Sequence, residues 1–392
     1  MVAACGLHRA TLTEDGAIWT CGRGSEGQLG HGDAQDRLLP TRLGPEAFGG
    51  LPVVLVACGW VHTMALTGGG CVWTCGGNDS GQLGHGDRTG KHLFTRVDPG
   101  HFGGASIVMA VCGYEHSVVA SAAGDVFTWG RGSYGRLGHN DEQDRLAPAR
   151  LGREQFAGGM IVFVAAGGAH TVALAEGGVM WVWGFGVYGQ LGLGDRDNRL
   201  VPTRLGAGEL FGGSPEIALW SLSACGGWHT LVATEQGEVW AFGRGAHGQL
   251  GSNDKNDRLV PTRVVARRAA DLFLHFATVA AGSEHSAAVT EGGALFTWGR
   301  GEVGHDAGSQ VPGGLGHTSR DDRLVPTLVS PSLLGVSVYT STDVKEFKVG
   351  KAGGSGFVRV RVCLSTSLPF PSTVSSTASI FAMAQRARAP SV

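Results

Sequence analysis

One pattern recurs six times at nearly constant spacing, and it leaves few folds open. Gly22, Gly76, Gly130, Gly184, Gly243 and Gly299 close the segments IWTCG, VWTCG, FTWG, WVWG, VWAFG and LFTWG, at spacings of 54, 54, 54, 59 and 56 residues. A histidine stands fourteen residues before each: His8, His62, His116, His170, His229 and His285. Two landmarks in one register over six copies mark a repeat architecture, in which each unit buries its apolar surface by stacking on its neighbours.

Within the second unit, VVLVACG, HTMALT and CVWTCG are short β-prone runs separated by glycine, the pattern of three strands in a meander. A polar loop, GGNDSGQLGHGD, follows, and LFTRV resumes pairing. In units one, four, five and six this last run reads RLLPTRL, RLVPTRL, RLVPTRV and RLVPTLV, and its proline suits an edge strand or a strand end. Four strands per unit, the last at an edge, make a propeller blade. The sequence therefore predicts an all-β fold, a β-propeller of four-stranded blades with six clear repeats over residues 1–329. The aromatics Trp19, Trp73, Phe127, Trp181, Trp240 and Phe296 share one position and are assigned to packing between blades.

Composition narrows the function classes. The 67 glycines are spread through apolar sequence with ten tryptophans, which suits turn punctuation rather than collagen or disorder. A net charge of −2, with no run of lysine and arginine, lacks the electrostatic footprint of a duplex-binding protein. No segment reaches the roughly 18 apolar residues of a membrane span, and MVAACGLHRA has no signal-peptide pattern, so a cytoplasmic protein, with the nucleus as the alternative, is expected. Cys5, Cys58, Cys112 and Cys225 each precede a glycine at one repeat position where Ala166 and Ala281 also occur, which favours small, reduced, inert side chains over metal ligands or disulfides.

The segments GYEHS at 113–117, WGRGSYGRLG at 129–138 and DRLVPTR at 257–263 resemble the regulator-of-chromosome-condensation repeat family, and the likeness runs from about Val2 to Val329. That resemblance implies a propeller normally closed by seven blades. Here repeat one lacks a residue between Gly6 and His8, repeat two has Lys91 and Phe94 where others have arginine and proline, and repeat six carries an insert around HDAGSQVPG. After Ser330 the motif disappears. VSVYT, EFKVG and FVRVRVCL make residues 330–365 a degenerate seventh blade, a missing one being the alternative, and residues 366–392 are assigned to a disordered tail. Residues 330–392 hold seven Lys or Arg against two acids, leaving −7 on the propeller body.

No constellation in the chain argues for catalysis. A histidine needed in every blade is needed by the blade, and each imidazole is expected to bond backbone within its own unit. Asp33, Asp87, Asp141, Asp195 and Asp254 share one loop position, with Arg37, Arg145, Arg199 and Arg258 following in four repeats; the acids should accept backbone N–H bonds and the arginines pin neighbouring loops. GRGSEG and GRGAHG resemble phosphate loops but join strand to strand, with no Gly-Lys-Ser/Thr. No cofactor, metal or enzymatic activity is expected.

Positions free to vary within the fixed frame point instead to binding. Between glycine and histidine these include Trp60, Tyr114, Glu115 and Trp228; after the aromatic glycine come Arg131, Arg244 and Arg300; within the following loop lie Tyr134, Tyr188 and His247. Aromatics mixed with arginine are the chemistry of binding hot spots. The expected function is a non-enzymatic interaction scaffold or adaptor, its partner a protein such as a small GTPase or a ubiquitin-ligase component. The family resemblance also implies, as an alternative, guanine nucleotide exchange on a Ran-type GTPase. That reading is weakened by a chain that starts directly in a strand, with only the insert at His305 to Gly313 as a wedge. Ultraviolet sensing ranks last, because only Trp60 matches the G-W-x-H-T pattern of the family's plant photoreceptor, while Trp228 is shifted by one residue and lies three blades away.

Overall fold

A computed structural model shows an all-β molecule of six four-stranded blades in a ring. It describes residues 1–206, 220–234, 236–264, 275–301, 315–317 and 319–330, with two short strands beyond. Each blade is an antiparallel meander in chain order. The first consists of β1 (Val2–Cys5), β2 (His8–Leu12), β3 (Ile18–Gly22) and β4 (Arg37–Leu43), and the second of β5 (Val53–Cys58), β6 (His62–Thr67), β7 (Val72–Gly76) and β8 (Lys91–Arg96). The remaining blades span Ile107–Leu151, Ile161–Arg204, Trp220–Arg263 and Phe276–Leu328. Among the described residues no α-helix occurs; the helical elements are four 3-10 turns.

The two repeat landmarks meet across one strand pair. In all six blades the histidine that opens the second strand lies opposite the glycine that closes the third, as His62 does Gly76. Gly76 has φ 115°, and a Cβ there would lie 2.3 Å from the Val61 carbonyl oxygen, so no side chain fits. In every blade but the second the outer strand carries the proline, at the edge as its missing N–H requires.

The histidine side chains join blades rather than bonding within their own unit. His8, His62, His116, His170 and His229 each place Nε2 2.8–3.1 Å from the hydroxyl of Thr63, Ser117, Thr171, Thr230 or Ser286 in the next blade. Each hydroxyl donates its one proton back to a carbonyl of the histidine's blade, that of Gln28, Gln82, Arg136, Gln190 or Gln249, at 2.7–2.9 Å. The ring nitrogen must therefore be the donor, which fixes the Nε2–H tautomer. The expectation of own-blade backbone bonds fails because the hydroxyl that follows the next blade's histidine is the nearer acceptor.

Core packing follows the same boundaries. The largest fully buried side chains include Trp129, Trp183, Trp298 and Phe242, two positions beyond the aromatics assigned to the core from sequence; of the latter, Phe127, Trp181 and Phe296 are buried, while Trp19, Trp73 and Trp240 are only half-buried. In the 3-10 turns between blades, Phe48, Phe102 and Phe156 drop into the inter-blade space and pack edge-on against Trp73, Phe127 and Trp181 of the next blade. The loop acids Asp33, Asp141, Asp195 and Asp254 pair with arginines four residues on at 2.5–2.9 Å, and Lys91 does so with Asp87 at 3.4 Å. These pairs brace their own loops and not neighbouring ones, because the turn returns the arginine to its own acid.

Beyond Ser330 the described residues are Val358–Arg359 and Met383–Ala384, which pair with each other. The seventh blade and tail expected over 330–392 otherwise lie outside the described residues, as does the insert at 305–313.

Burial holds the relay imidazoles neutral, lowering His8 to about 4 and His62, His170 and His229 to about 3. The unfolded chain takes up these protons near pH 6.5, so stability is full above that value and falls as pH drops toward the folded-state values, by up to about 1.4 kcal/mol per histidine per pH unit. Denaturant titrations should show destabilisation between pH 6.5 and 4.5, above the carboxylate range, with a shallower slope in His170→Gln. At pH 7.5, His170→Ala should cost about 1–3 kcal/mol by removing the donor to the buried Thr230 oxygen, which keeps its bond to the Gln190 carbonyl.

Candidate protein-binding face

In every blade the loop between the first and second strands opens on the same side of the ring as the loop between the third and fourth. The first of these is a tight turn of three residues, or two in the first blade. The Gly59 N–H donates to the His62 carbonyl at 2.8 Å, and a Cβ on Gly59 would strike the His62 ring at 2.1 Å and the Gly113 carbonyl of the next blade at 2.7 Å. Gly113, Gly167 and Gly226 repeat this crowding, so the glycines line the axis and the two residues before each histidine are pushed onto the face.

Tyr114 occupies the axis. Its hydroxyl bonds Ser283 Oγ of the sixth blade at 2.7 Å, and its ring lies 4.9 Å from Trp60 in the second blade and 6.0 Å from Trp228 in the fifth. Burial pushes the phenol up to about 12. Room for the ring comes from Gly168 and Gly227, where a Cβ would meet Tyr114 atoms at 2.9 and 2.4 Å. Trp60 and Trp228, three blades apart along the chain, thus become second neighbours through one tyrosine.

Aromatic contact continues outward. Phe185 meets Trp228 edge-on at 5.5 Å and Tyr134 at a tilt at 4.7 Å, Tyr188 lies 6.0 Å from both Phe185 and Trp228, and the Arg244 and Arg136 guanidinium groups sit over Tyr188 and Tyr134 at 5.3 and 5.7 Å. Tyr134 has φ 65°, in the left-handed region. Its counterparts Glu26, Ser80, Tyr188 and His247 donate their N–H to a glutamine two residues on; Arg136 replaces that glutamine and offers no acceptor.

A charged sector adjoins the aromatic one. Arg131 pairs with Glu115 at 2.6 Å. Glu284 receives Arg300 at 2.6 Å and Arg244 at 3.1 Å, and His247 stands 3.6 Å from Glu284 and 3.4 Å from Asp322, which also holds Lys255 at 2.8 Å. The neighbouring cations, Arg300 chief among them, hold the Glu284 carboxyl below its ordinary value against the opposing effect of burial.

The structure gathers all ten sequence-predicted residues on this one face, in unequal roles. Trp60 and Tyr134 are exposed, whereas Tyr114 is an axial plug. The reasoning from sequence passed over Arg136, signalled only by GRLG in place of GQLG, and the glycine pair that admits Tyr114. Among the described residues no cluster of His, Cys, Asp and Glu has the arrangement of a metal site, and no helix is long and apolar enough to cross a membrane.

The sequence profile of the RCC1-like domain matches residues 1–354. The chain belongs to the RCC1-like domain family. It is 37% identical over 305 residues to the ultraviolet-B receptor UVR8 of Arabidopsis thaliana, covering 78% of this chain and 66% of the receptor. It is 32% identical over 319 residues to the human E3 ubiquitin-protein ligase HERC2, covering 81% of this chain and 6% of the ligase. This chain thus spans less than two thirds of the length of these relatives. Among solved structures, human WBSCR16 superposes with a TM-score of 0.70 at 24% identity, covering 84% of this chain and 81% of that one. Yeast RCC1 (Prp20), solved bound to Kap60, superposes with a TM-score of 0.68 at 23% identity, covering 84% and 74%. At these identities the structural likeness shows the fold.

The two kinds of face residue in this RCC1-like propeller should separate by stability. Tyr114→Ala removes a half-buried ring with three aromatic or hydrogen-bonding partners and should cost about 1–3 kcal/mol in equilibrium unfolding, whereas Arg131→Ala, which breaks one half-exposed ion pair, should cost less than about 1 kcal/mol.

Proposed function

We propose that this chain is a non-enzymatic scaffold or adaptor of the cytoplasm or nucleus that binds a partner protein through the Trp60, Tyr134, Arg131, Arg244 and Arg300 face. One observation carries the reading: a continuous aromatic sector with exposed Trp60 and Tyr134 borders a sector of arginine, histidine and acids, on loops that the blade frame leaves free to vary. Apolar anchors beside a polar, charged rim are the anatomy of a protein interface. The comparisons support a partner of protein character, since the family includes a ubiquitin ligase and a propeller solved with Kap60 bound. Candidates by class are a small GTPase and a ubiquitin-ligase component.

Guanine nucleotide exchange on a Ran-type GTPase is the competing reading, and one experiment separates the two. Purified chain, Trp60→Ala and Arg244→Ala are compared for partner capture, melting temperature and nucleotide release from a Ran-type GTPase. The scaffold reading expects both variants to melt with wild type, to lose about 2 kcal/mol or more of binding, roughly thirtyfold, and none of the three proteins to release nucleotide. Catalysed release by wild type, lost in both variants, would replace the scaffold with the exchange factor. Full capture by both variants would remove this face from the function.

A further inference from the structure

On the opposite side of the ring, formed by the turns between second and third strands and by the links between blades, the junction after blade two combines two departures from blades one, three and five, the first of which it shares with Arg204 of blade four. In blades one, three and five the acid of that turn pairs with an outer-strand arginine: Asp15 with Arg42 at 3.3 Å, Asp125 with Arg150 at 3.1 Å, Glu238 with Arg263 at 2.8 Å. Blade two has Gly68, Gly69, Gly70 and Cys71 in the turn, and Arg96, at the same outer-strand position, has no acidic partner among the described residues. The junction also lacks its usual filler. A Cβ on Gly16, Gly124 or Gly237 would collide with Pro52, Met160 or His275 at 2.5–2.9 Å, but the residue facing Gly70 is Ser106, whose hydroxyl is 3.7 Å from the same point.

The two departures leave a cavity of about 270 Å³ bounded by Arg96, Cys71, Val97, Pro99, Phe102 and Ser106. We propose that this cavity, on the face away from the partner surface described above, binds the carboxylate side chain of an acidic residue presented by a protein. Arg96 offers a planar fork that matches a carboxylate, and it forms no ion pair among the described residues. Val97 and Phe102, both buried, supply an apolar floor for the methylenes. The volume falls just below the roughly 300–1,000 Å³ of cofactor and drug pockets, which fits one side chain. This site is independent of the scaffold assignment.

Cys71 lines the cavity and is half-buried, so its alkylation by N-ethylmaleimide, followed by peptide mass spectrometry on the intact chain, reads occupancy. The probes are acetyl-glutamate amide, acetyl-glutamine amide and acetate. Acetyl-glutamate amide should slow Cys71 alkylation about threefold at twice its dissociation constant, while the other two should not at the same concentration. Arg96→Gln should remove the protection with unchanged melting temperature. Ser106→Met, which installs the residue type of Met160, should shield Cys71 without any probe. Equal protection by the glutamine analogue, or protection that survives Arg96→Gln, overturns charge recognition. Equal protection by acetate reduces the cavity to a small-anion site, and an unreactive Cys71 in wild-type protein shows the cavity closed; both overturn the proposal.

Discussion

A four-stranded blade has two apolar faces and no means of covering either alone, so the structure depends on how blades are locked to one another. The lock is a hydroxyl from one blade held between the imidazole and a backbone carbonyl of the blade before it, as Thr63 is held by His8 and Gln28. It specifies register as well as attachment, because a shift of one residue would turn the hydroxyl to the opposite side of its strand. The lock also has a cost. Nδ1 of His62, His116, His170 and His229 is buried without a partner among the described residues, a penalty tolerated because the same burial keeps each ring neutral and its Nε2–H donating. Acid sensitivity is therefore built into the repeat.

The lock is not passed on from the last described blade. His285 holds its Nε2 buried with no partner among the described residues, and the first blade presents Arg9 where every later blade presents serine or threonine; the Arg9 Nε donates to Cys21 Sγ at 2.8 Å. The outer strands tell the same story. Leu146, Leu200, Leu259 and Leu324 each press against a loop glycine of the preceding blade, namely Gly81, Gly135, Gly189 and Gly248, whereas their counterpart Leu38 is 93% exposed. The inter-blade interactions run from the first blade to the sixth, and the residues expected to bear on closure lie outside the described ones.

Most of this architecture was legible in the sequence because it repeats. His62 and Gly76 stay fourteen residues apart since they are opposite partners in one hairpin, and a spacing fixed by backbone pairing survives six copies. What sequence reasoning placed wrongly was direction. Nothing in G-x-x-H-[ST] says whether the imidazole turns inward to its own strand or across to the next blade, and nothing in D-x-x-x-R says whether the arginine reaches a neighbouring loop or folds back on its own acid. Both depend on distances between blades that the linear order does not contain. The candidate face was legible as a set of variable positions, but not its internal grading: Tyr114 and Trp60 occupy the same loop position, and the space left by Gly168 and Gly227 together with the cross-ring bond to Ser283 makes one a plug and leaves the other exposed.

The singular features of this propeller share an origin. Tyr114 reaches the axis because Gly168 and Gly227 withhold side chains at positions where other blades carry them; Tyr134 turns into the left-handed region where Arg136 stands in for a glutamine; Arg96 faces a cavity because Ser106 replaces a larger residue and the turn lost its acid. None of these is visible in any one blade taken alone. A repeat frame makes each unit a reference for the others, so a site emerges where one unit omits what its equivalents supply and a neighbour's side chain is left without its usual counterpart. Stability then resides in what the blades share, and recognition in what single blades lack, which allows the face to vary while the inter-blade lock stays fixed.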